Sequence, residues 1–218
     1  MLQSVHSQTV SDCLIIFTRY PQAGQTKTRL IPALGAAGAA SLQRQMTEHL
    51  LRQFQPFCTE KQIGLQVHFA GGSAAQMLHW LGPDLSLTSQ CGGNLGEKLI
   101  FALTQTFAKG TARAVVIGSD CPTLSGHEID QALKQLDSHD VVLGPAADGG
   151  YYLIALRAMH RCLFEDIPWG TDRVLAATRA IAHNHQLSVF QLSVLTDIDR
   201  PEDLPIWEAP QALAEPFP

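Results

Sequence analysis

The amino-acid sequence predicts a doubly wound α/β domain, with a mostly parallel sheet that is covered by helices on both faces. Short runs of aliphatic and β-branched residues alternate along the chain with segments of helical periodicity, as in successive βαβ units. The clearest runs, 12–18 and 114–117, lack apolar–polar alternation, so both faces of these strands should be buried. Charged residues follow both runs, at the position where open parallel sheets bind ligands.

Length and composition are consistent with one domain. The chain has 218 residues, of which 45% are hydrophobic and 16% are charged, and this is enough for a sizeable core. We expect an N-terminal extension at 1–11, the domain at 12–204 and a C-terminal surface tail at 205–218. The net charge of −5 argues against a broad nucleic-acid-binding surface, so a bound phosphate would require a local basic cluster.

The cysteines and the apolar runs indicate the compartment. The five cysteines are scattered and odd in number, with no C-x-x-C pair, which favours reduced thiols over a disulfide framework or a zinc site. No apolar run has the length of a membrane span, and the first residues lack the pattern of a signal peptide. These features predict a soluble cytoplasmic protein and say nothing about its oligomeric state.

The first predicted strand leads directly into a loop that concentrates basic residues in an otherwise acidic protein. Lys27 provides a point charge, Arg19 and Arg29 provide planar guanidinium groups, and backbone N–H groups near Gly24 can approach an anion. A Walker A motif is excluded, because Thr26 precedes Lys27 where that motif requires glycine. We therefore predict a phosphate-binding loop, with a solvated basic loop as the alternative.

Helices and strands alternate after this loop. Apolar residues at four-residue spacing predict an amphipathic helix at 35–54, and a strand at 65–70 and a short helix at 73–81 follow. The glycine-rich stretch 90–96 then opens a further helix. This stretch can pack a flat nucleobase against its main chain, although a capping turn with Asn94 as the cap explains it nearly as well.

The run at 114–117 is the predicted central strand, and Asp120 follows its carboxyl end. Pro122 cannot pair in a ladder, and Gly118 allows the backbone to turn or to approach a ligand. This position makes Asp120 the first candidate for holding a cation or a hydroxyl group. The alternative is a turn or a helix cap, which is a frequent role for a short acid. A helix with a capping box is predicted next, at 125–136.

A second acid follows the next predicted strand, 140–145. Asp148 precedes Gly149 and Gly150 in what should be a tight turn, and the residues from Tyr151 onward have the composition of a returning strand. Turn chemistry alone would explain Asp148. The functional hypothesis is an acid that faces the same crevice as the acid of the central strand.

The C-terminal part of the domain contributes two more acids. Thr171 is predicted to cap a helix, and a strand at 187–195 leads to Asp197 and Asp199. Asp199 has a structural explanation as a helix N-cap, with Glu202 at capping-box spacing, whereas Asp197 has none. In an extended segment both acids would project to the same face.

Taken together, these motifs resemble a bacterial family of GT-A-type transferases, the arsenosugar-biosynthesis glycosyltransferases. That family is similar to the phospholactate and molybdenum-cofactor guanylyltransferases. The resemblance spans about 12–204 and is carried by Phe17-Thr18-Arg19-Tyr20-Pro21, Gly24, Lys27-Thr28-Arg29-Leu30, Gly118-Ser119-Asp120-Cys121-Pro122, Gly144-Pro145-Ala146, Asp148-Gly149-Gly150-Tyr151-Tyr152-Leu153, Asp197-Ile198-Asp199 and Pro201-Glu202-Asp203-Leu204. The chain departs from the family pattern at Ala23, Asn94, Lys98, Gly170 and Arg200.

The resemblance implies a GT-A-like fold of the nucleotide-diphospho-sugar transferase type and a set of site residues. The phosphates of the nucleotide would be held by Arg19, Gly24, Lys27, Thr28 and Arg29. The base would pack against Gln90, Gly92, Gly93, Asn94 and Gly96. Asp120 would bind a divalent cation and would act with Asp148 in catalysis, and Asp197 or Asp199 would complete the metal pocket.

We therefore expect a transferase that requires Mg²⁺ or Mn²⁺ and uses a nucleotide-activated donor, preferably a nucleotide sugar, with a small-molecule acceptor. The glycine turn and aromatic rings at Gly149, Gly150, Tyr151 and Trp169 suit a neutral sugar or acceptor. One alternative is a nucleotidyltransferase that consumes a nucleoside triphosphate. Another is a nucleotide-binding module without catalysis, against which the three acids in separate loops argue.

Overall fold

The computed structural model describes residues 12–211, so the expected extension at 1–11 and the tail residues 212–218 lie outside the described chain. The strands are β1 (Asp12–Arg19), β2 (Gly64–Ala70), β3 (Ser86–Ser89), β4 (Arg113–Gly118), β5 (Val141–Pro145), β6 (Tyr151–Leu156) and β7 (Val189–Gln191). The helices are α1 (Ile31–Lys61), α2 (Ala74–Leu81), α3 (Leu95–Ala108), α4 (Gly126–Gln135), α5 (Val174–Asn184) and α6 (Leu204–Gln211). Short 3₁₀ turns lie at Thr28–Leu30, Arg161–Phe164 and Pro201–Asp203.

The strands form one seven-stranded sheet in the order β3-β2-β1-β4-β6-β5-β7. All neighbouring pairs are parallel except those of β6, which runs antiparallel to both β4 and β5. The tight turn between β5 and β6 is the reason, because two strands joined by so few residues can pair only as a hairpin. The predicted class, a mostly parallel sheet with helices on both faces, is confirmed.

The side chains of β1 explain why its sequence lacks alternation. Leu14 and Ile16 belong to the core on one face of the sheet, against α1, α2 and α4. Ile15 and Phe17 belong to the core on the opposite face, against α3 and α5. The side chains of β4 divide in the same way, so positions 13–17 and 114–117 all face apolar neighbours and favour apolar residues.

Several boundaries differ from the sequence-based prediction. α1 is longer than 35–54, because Cys58 continues its buried face after Phe54. β3 was not predicted, since Ser86–Ser89 is short and polar and forms through its pairing with β2. The strand expected at 187–195 is reduced to β7, and Leu195 makes only an isolated bridge to Ala146.

Two expectations about the C-terminal part were wrong. Thr171 does not cap α5: its hydroxyl donates to the carbonyl of Pro168 in a preceding turn, and α5 begins at Val174 without a side-chain cap. The segment after Pro205 is not simply a surface tail, because α6 occupies its first part and Trp207 packs into a third apolar cluster. That cluster also contains Leu30 and Ile198, so α6 packs against the loop that follows β1 and against the loop that carries Asp197 and Asp199.

Candidate active site

The candidate site lies where the path of the chain reverses across the sheet. The connection after β1 leads through α1 to β2 on one side, whereas the connection after β4 leads through α4 to β5 on the other. Loops that diverge from two adjacent parallel strands leave a crevice at their carboxyl ends. A cavity of about 710 Å³ opens there, which is within the usual size range of small-molecule sites.

Most of the predicted site residues line this cavity. They are Arg19, Lys27, Thr28, Arg29, Gln90, Asp120, Asp148, Gly150, Tyr151, Trp169, Asp197 and Asp199. The predicted residues that do not line it are Gly24, Gly92, Gly93, Asn94, Gly96 and Gly149. The structure therefore brings together residues from loops that lie as many as 180 positions apart in sequence, from Arg19 to Asp199.

Lys27 connects the basic loop to the acidic ones. Its ammonium group donates to Oδ2 of Asp120 at 3.1 Å and to the carbonyl of Ile198 at 2.6 Å, and it lies 3.7 Å from Oδ1 of Asp199. The side chain is only 7% exposed. Burial alone would lower the pKa of Lys27, but the neighbouring carboxylates outweigh burial and raise this pKa above its usual value. Lys27 therefore stays charged and neutralises part of the acidic pocket.

Asp199 is held by side chains rather than serving as a helix cap. Its Oδ2 accepts a hydrogen bond from Arg29 at 2.5 Å. The cap of the following 3₁₀ turn is formed by Asp203, whose carboxylate accepts from the backbone N–H groups of Asp199 and Arg200. The sequence-based assignment of Asp199 as N-cap with Glu202 as its partner was wrong, since Asp203 has the better reach to both N–H groups.

Asp120 is supported by its neighbours on three sides. A Cβ atom on Gly118 would lie 2.7 Å from Oδ1 of Asp120, so glycine leaves room for the carboxylate. The backbone carbonyl of Asp120 accepts from Ile198 N–H, which fixes the loop that carries Asp197 beside it. The next residue back, Ser119, is buried and accepts a hydrogen bond from Gln43 at 2.8 Å.

The sequence analysis missed Gln43. This side chain is buried on α1 and lines the cavity, and its amide nitrogen also lies 3.2 Å from the hydroxyl oxygens of both Thr18 and Thr47, so it connects the ends of β1 and β4. A buried polar network that is hydrogen-bonded throughout holds its members in one arrangement. The available signal was a glutamine and a threonine four positions apart, Gln43 and Thr47, beside the apolar positions Leu42 and Met46 of the predicted helix.

Asp197 has the most perturbed carboxyl group of the cavity. Burial, followed by the negative charges of Asp120 and Asp148, raises the pKa of Asp197 to about 6. Its charged form is therefore disfavoured in the folded protein. A pocket in which carboxylates repel one another provides a favourable position for a bound cation.

We expect Asp197→Asn to stabilise the metal-free protein at about pH 7.5 and to have little effect near pH 4. Folding raises the pKa of Asp197, so between about pH 4 and pH 6 this carboxyl group is protonated in the native state but ionised in the unfolded state. The free energy of unfolding of the wild type therefore falls as pH rises through that window. Asparagine removes this loss, by an amount on the order of 1–2 kcal/mol after allowance for partial exposure. Denaturant unfolding of both proteins in EDTA, at both pH values, measures the difference in their free energy of unfolding. A difference that is independent of pH would contradict the assignment.

The β5–β6 turn presents Asp148, and Tyr151 at the start of β6 and Trp169 in the loop before α5 lie in the same cavity. Oδ1 of Asp148 accepts from Gly150 N–H at 2.8 Å, so the acid does stabilise the turn, and it also lines the cavity. Tyr151 and Trp169 meet edge to face, with ring centroids 6.2 Å apart, and form a wall beside it. Gly149 has a structural role, since a Cβ atom there would lie 2.2 Å from the carbonyl oxygen of Asp172.

The glycine-rich loop before α3 is largely explained by helix capping. The side chain of Asn94 accepts from Glu97 N–H, and the carboxylate of Glu97 accepts from Asn94 N–H, which is a complete capping box. Gly96 is required by packing, because a Cβ atom would lie 2.2 Å from the carbonyl oxygen of Phe164. Gln90 lines the cavity, with its amide nitrogen bound to the carbonyl of His68.

The acidic pocket is compatible with a hard divalent cation. Among residues 12–211, no group of three or more His, Cys, Asp or Glu side chains is arranged to hold a metal ion. Next to phosphates, however, Mg²⁺ is usually bound by one or two carboxylates, with phosphate oxygens and waters completing its shell. Asp120 and Asp197 fit that role, since repulsion between them contributes to the raised pKa of Asp197 and a cation would relieve it. Asp199 pairs with both Arg29 and Lys27, whereas within the described chain Asp120 pairs with Lys27 alone.

No helix in the described part of the chain combines the length and the hydropathy that crossing a membrane requires.

Comparison with known proteins identifies relatives at the level of sequence and of fold. Residues 53–171 match the family described as "Uncharacterized protein conserved in bacteria (DUF2064)". A crystal structure from Desulfovibrio desulfuricans G20, provisionally named a nucleotide-diphospho-sugar transferase, is 32% identical in sequence. It aligns over 90% of this chain and 86% of its own length, with a TM-score of 0.84. No curated protein matches the chain.

More distant structures share the fold alone. The 4-diphosphocytidyl-2C-methyl-D-erythritol synthase of Anaerococcus prevotii has 8% identity and a TM-score of 0.60, over 94% of this chain and 99% of its own. The molybdopterin-guanine dinucleotide biosynthesis protein A of Archaeoglobus fulgidus has 13% identity and a TM-score of 0.54, over 91% and 98%. These proteins thus share the overall α/β fold of this chain.

Proposed function

We propose that this chain, which belongs to the bacterial family DUF2064, is a divalent-cation-dependent glycosyltransferase. It would move a sugar from a nucleoside diphosphate to a small hydroxylated acceptor. The observation that carries the proposal is the meeting of basic and acidic side chains in one crevice at the switch point of the sheet. A diphosphate needs cations, and the metal that accompanies it needs carboxylates. Both groups line the same cavity.

We assign the basic residues of the cavity to the diphosphate of a nucleotide sugar and the aromatic residues to its sugar. Arg19, Lys27 and Arg29 lie on the side of the cavity that is formed by β1 and the loop after it. They are placed to attract the diphosphate. Asp120 and Asp197 would hold Mg²⁺ or Mn²⁺ between this end and the sugar, where the cation would neutralise charge that develops on the departing diphosphate.

The opposite end of the cavity suits a neutral substrate. Tyr151 and Trp169 provide apolar ring faces, and Asp148 provides a carboxylate that can accept a proton from an attacking hydroxyl group. Of the arginines on the neighbouring segments, Arg157 pairs with Asp140 and Arg161 with Glu165, and Arg173 is exposed and does not line the cavity. None of these three arginines lines the cavity, so an anionic acceptor would find no guanidinium partner from these segments, and this favours sugar transfer to a hydroxyl group.

The similarity to the Desulfovibrio desulfuricans protein adds support for a nucleotide sugar as donor, because its sequence identity extends over most of both chains. A role in arsenosugar biosynthesis is a narrower proposal, and it rests only on the sequence resemblance. A nucleotidyltransferase is the second candidate. The feature in its favour is the number of cations that line the cavity, four with Lys98, which would also suit a triphosphate.

The decisive experiment separates the two reactions by their leaving groups. We expect the protein with Mn²⁺ to release nucleoside diphosphate from one member of a panel of nucleotide sugars, slowly into water and faster with an acceptor. Consumption of nucleoside triphosphates alone, with formation of pyrophosphate, would replace the proposal by nucleotidyl transfer. A heat-denatured sample is the control for hydrolysis without the enzyme.

A further inference from the structure

Of the cations that the structure describes in the cavity, Lys98 is the one to which the proposed glycosyl transfer assigns no role. Lys98 lies in the first turn of α3, and Leu95, Lys98 and Leu99 line the cavity together, as residues three and four apart on one helix face do. The residue between them, Gly96, faces the other way and packs against Phe164 and Trp169. This packing sets the distance between the first turn of α3 and the segment that carries Phe164 and Trp169.

The position of Lys98 is unfavourable for the helix itself. The amino end of α3 carries the positive end of the helix dipole, which favours acidic side chains and disfavours basic ones. Glu97, the acid in the same turn, is already engaged in the capping box with Asn94. A lysine at this position contributes nothing to α3 that a neutral side chain would not contribute better.

The other cations of the cavity show why Lys98 matters. Lys27 and Arg29 are paired with Asp120 and Asp199, so much of their charge is compensated inside the protein. Arg19 and Lys98 form no ion pair among residues 12–211, and the only side-chain hydrogen bond that Arg19 makes there is to the carbonyl of Gln25. The uncompensated positive charge of the crevice is therefore supplied by β1 on one side and by α3 on the other.

We propose that Lys98, together with Arg19, binds the diphosphate of the donor, and that Lys98 is a specificity-determining residue for donors with two phosphates. The inference rests on the proposed use of a nucleoside diphosphate sugar. In that reaction the acceptor oxygen bonds to the anomeric carbon while the bond from this carbon to the phosphate oxygen breaks. The electron pair goes to the phosphate, the acceptor proton goes to a carboxylate such as Asp148, and Lys98 stabilises the negative charge on the leaving diphosphate.

The test compares Lys98→Met with Lys109→Met, which removes the same charge from the other end of α3, where Lys109 ends the helix. Binding of UDP, GDP and inorganic pyrophosphate is measured by calorimetry in Mg²⁺, with uridine and guanosine as probes that lack phosphate. We expect Lys98→Met to weaken the diphosphates and pyrophosphate about 10- to 100-fold, to leave the nucleosides within about twofold, and not to lower Tm. Lys98→Arg should retain most of the affinity, and Lys109→Met should match the wild type.

The outcomes separate this inference from the proposed function. Unchanged affinity of Lys98→Met for pyrophosphate and for both diphosphates would overturn the role of Lys98, whatever reaction the protein performs. Equal losses for nucleosides and diphosphates, or a fall in Tm, would show that Lys98 is structural and would also overturn it. A wild type that binds diphosphates through Lys98 but transfers no sugar would refute glycosyl transfer and leave the inference standing. A wild type that binds none of the diphosphates refutes both.

Discussion

Asp120→Asn is expected to abolish cation-dependent binding of nucleoside diphosphates while leaving the fold intact. The substitution keeps the volume that Gly118 accommodates and keeps the backbone bond from Ile198 to the carbonyl of residue 120. It removes the carboxylate that we assign to the cation. Loss of a residue that only hydrogen-bonds to a metal ligand typically costs about 10- to 100-fold in metal affinity, so loss of a direct ligand should cost more than about 100-fold.

Calorimetric titration of UDP and GDP in Mn²⁺ measures this effect, with parallel titrations in EDTA to show which part depends on the cation. Asp130→Asn is the matched control, because Asp130 pairs with Lys61 on the protein surface and does not line the cavity. Circular dichroism and Tm establish that both variants are folded. An Asp120→Asn protein that binds nucleotide as well as the wild type in Mn²⁺ would remove Asp120 from the metal site.

Lys27→Met should lower stability more than the other site substitutions discussed here. It deletes a nearly buried ammonium group that donates to Ile198 and is paired with Asp120 and Asp199. Breaking a buried ion pair from one side costs about 3–5 kcal/mol. The two acids are 39% and 35% exposed, so solvent screening should reduce the loss to about 2 kcal/mol. For a chain of this length that corresponds to a fall in Tm of about 4–8 °C.

The same substitution predicts an unusual response to metal. In Lys27→Met the carboxylates of Asp120 and Asp199 lose the positive charge of Lys27, and a bound cation can replace it. Mn²⁺ should therefore raise the Tm of Lys27→Met by more than it raises that of the wild type. Differential scanning fluorimetry across a Mn²⁺ titration measures both shifts. Arg29→Met is the control: Arg29 also pairs with Asp199, but it is 61% exposed, so its loss should cost less than about 1 kcal/mol. Equal shifts for Lys27→Met and the wild type would contradict this account of the pocket.

Lys27 also changes the interpretation of the basic loop. The sequence predicted a phosphate contact from its charge and its place after the first strand. The structure gives its ammonium group three oxygen neighbours within the protein, so contact with a phosphate requires exchange of at least one of them. The non-glycine residue at positive φ in this loop is Lys27 itself, at 48°, a conformation that lysine adopts only where the surroundings fix it.

The sequence by itself determined the features that depend on neighbours in the chain. The strands at β1 and β4 were identified because a run that is buried on both faces contains only apolar residues over consecutive positions. The capping box of α4, Ser125 with Glu128, was predicted from residues three positions apart, and the cap of α3 at Asn94 was predicted as one of two alternatives; both occur, and Glu97 completes a box with Asn94. Asp120 and Asp148 could be nominated because strand ends of a parallel sheet converge on one crevice.

The tertiary structure decided everything that depends on the path of the chain. β3 forms only because β2 offers an open edge, and Trp207 is buried only because Leu30 and Ile198 surround it. Lys27 and Asp120 are 93 residues apart, so no local spacing could show that they form an ion pair. The raised pKa of Asp197 has the same origin. Two of its three main causes are the charges of Asp120 and Asp148, and distances between groups on separate loops are fixed only when the sheet that carries those loops has folded.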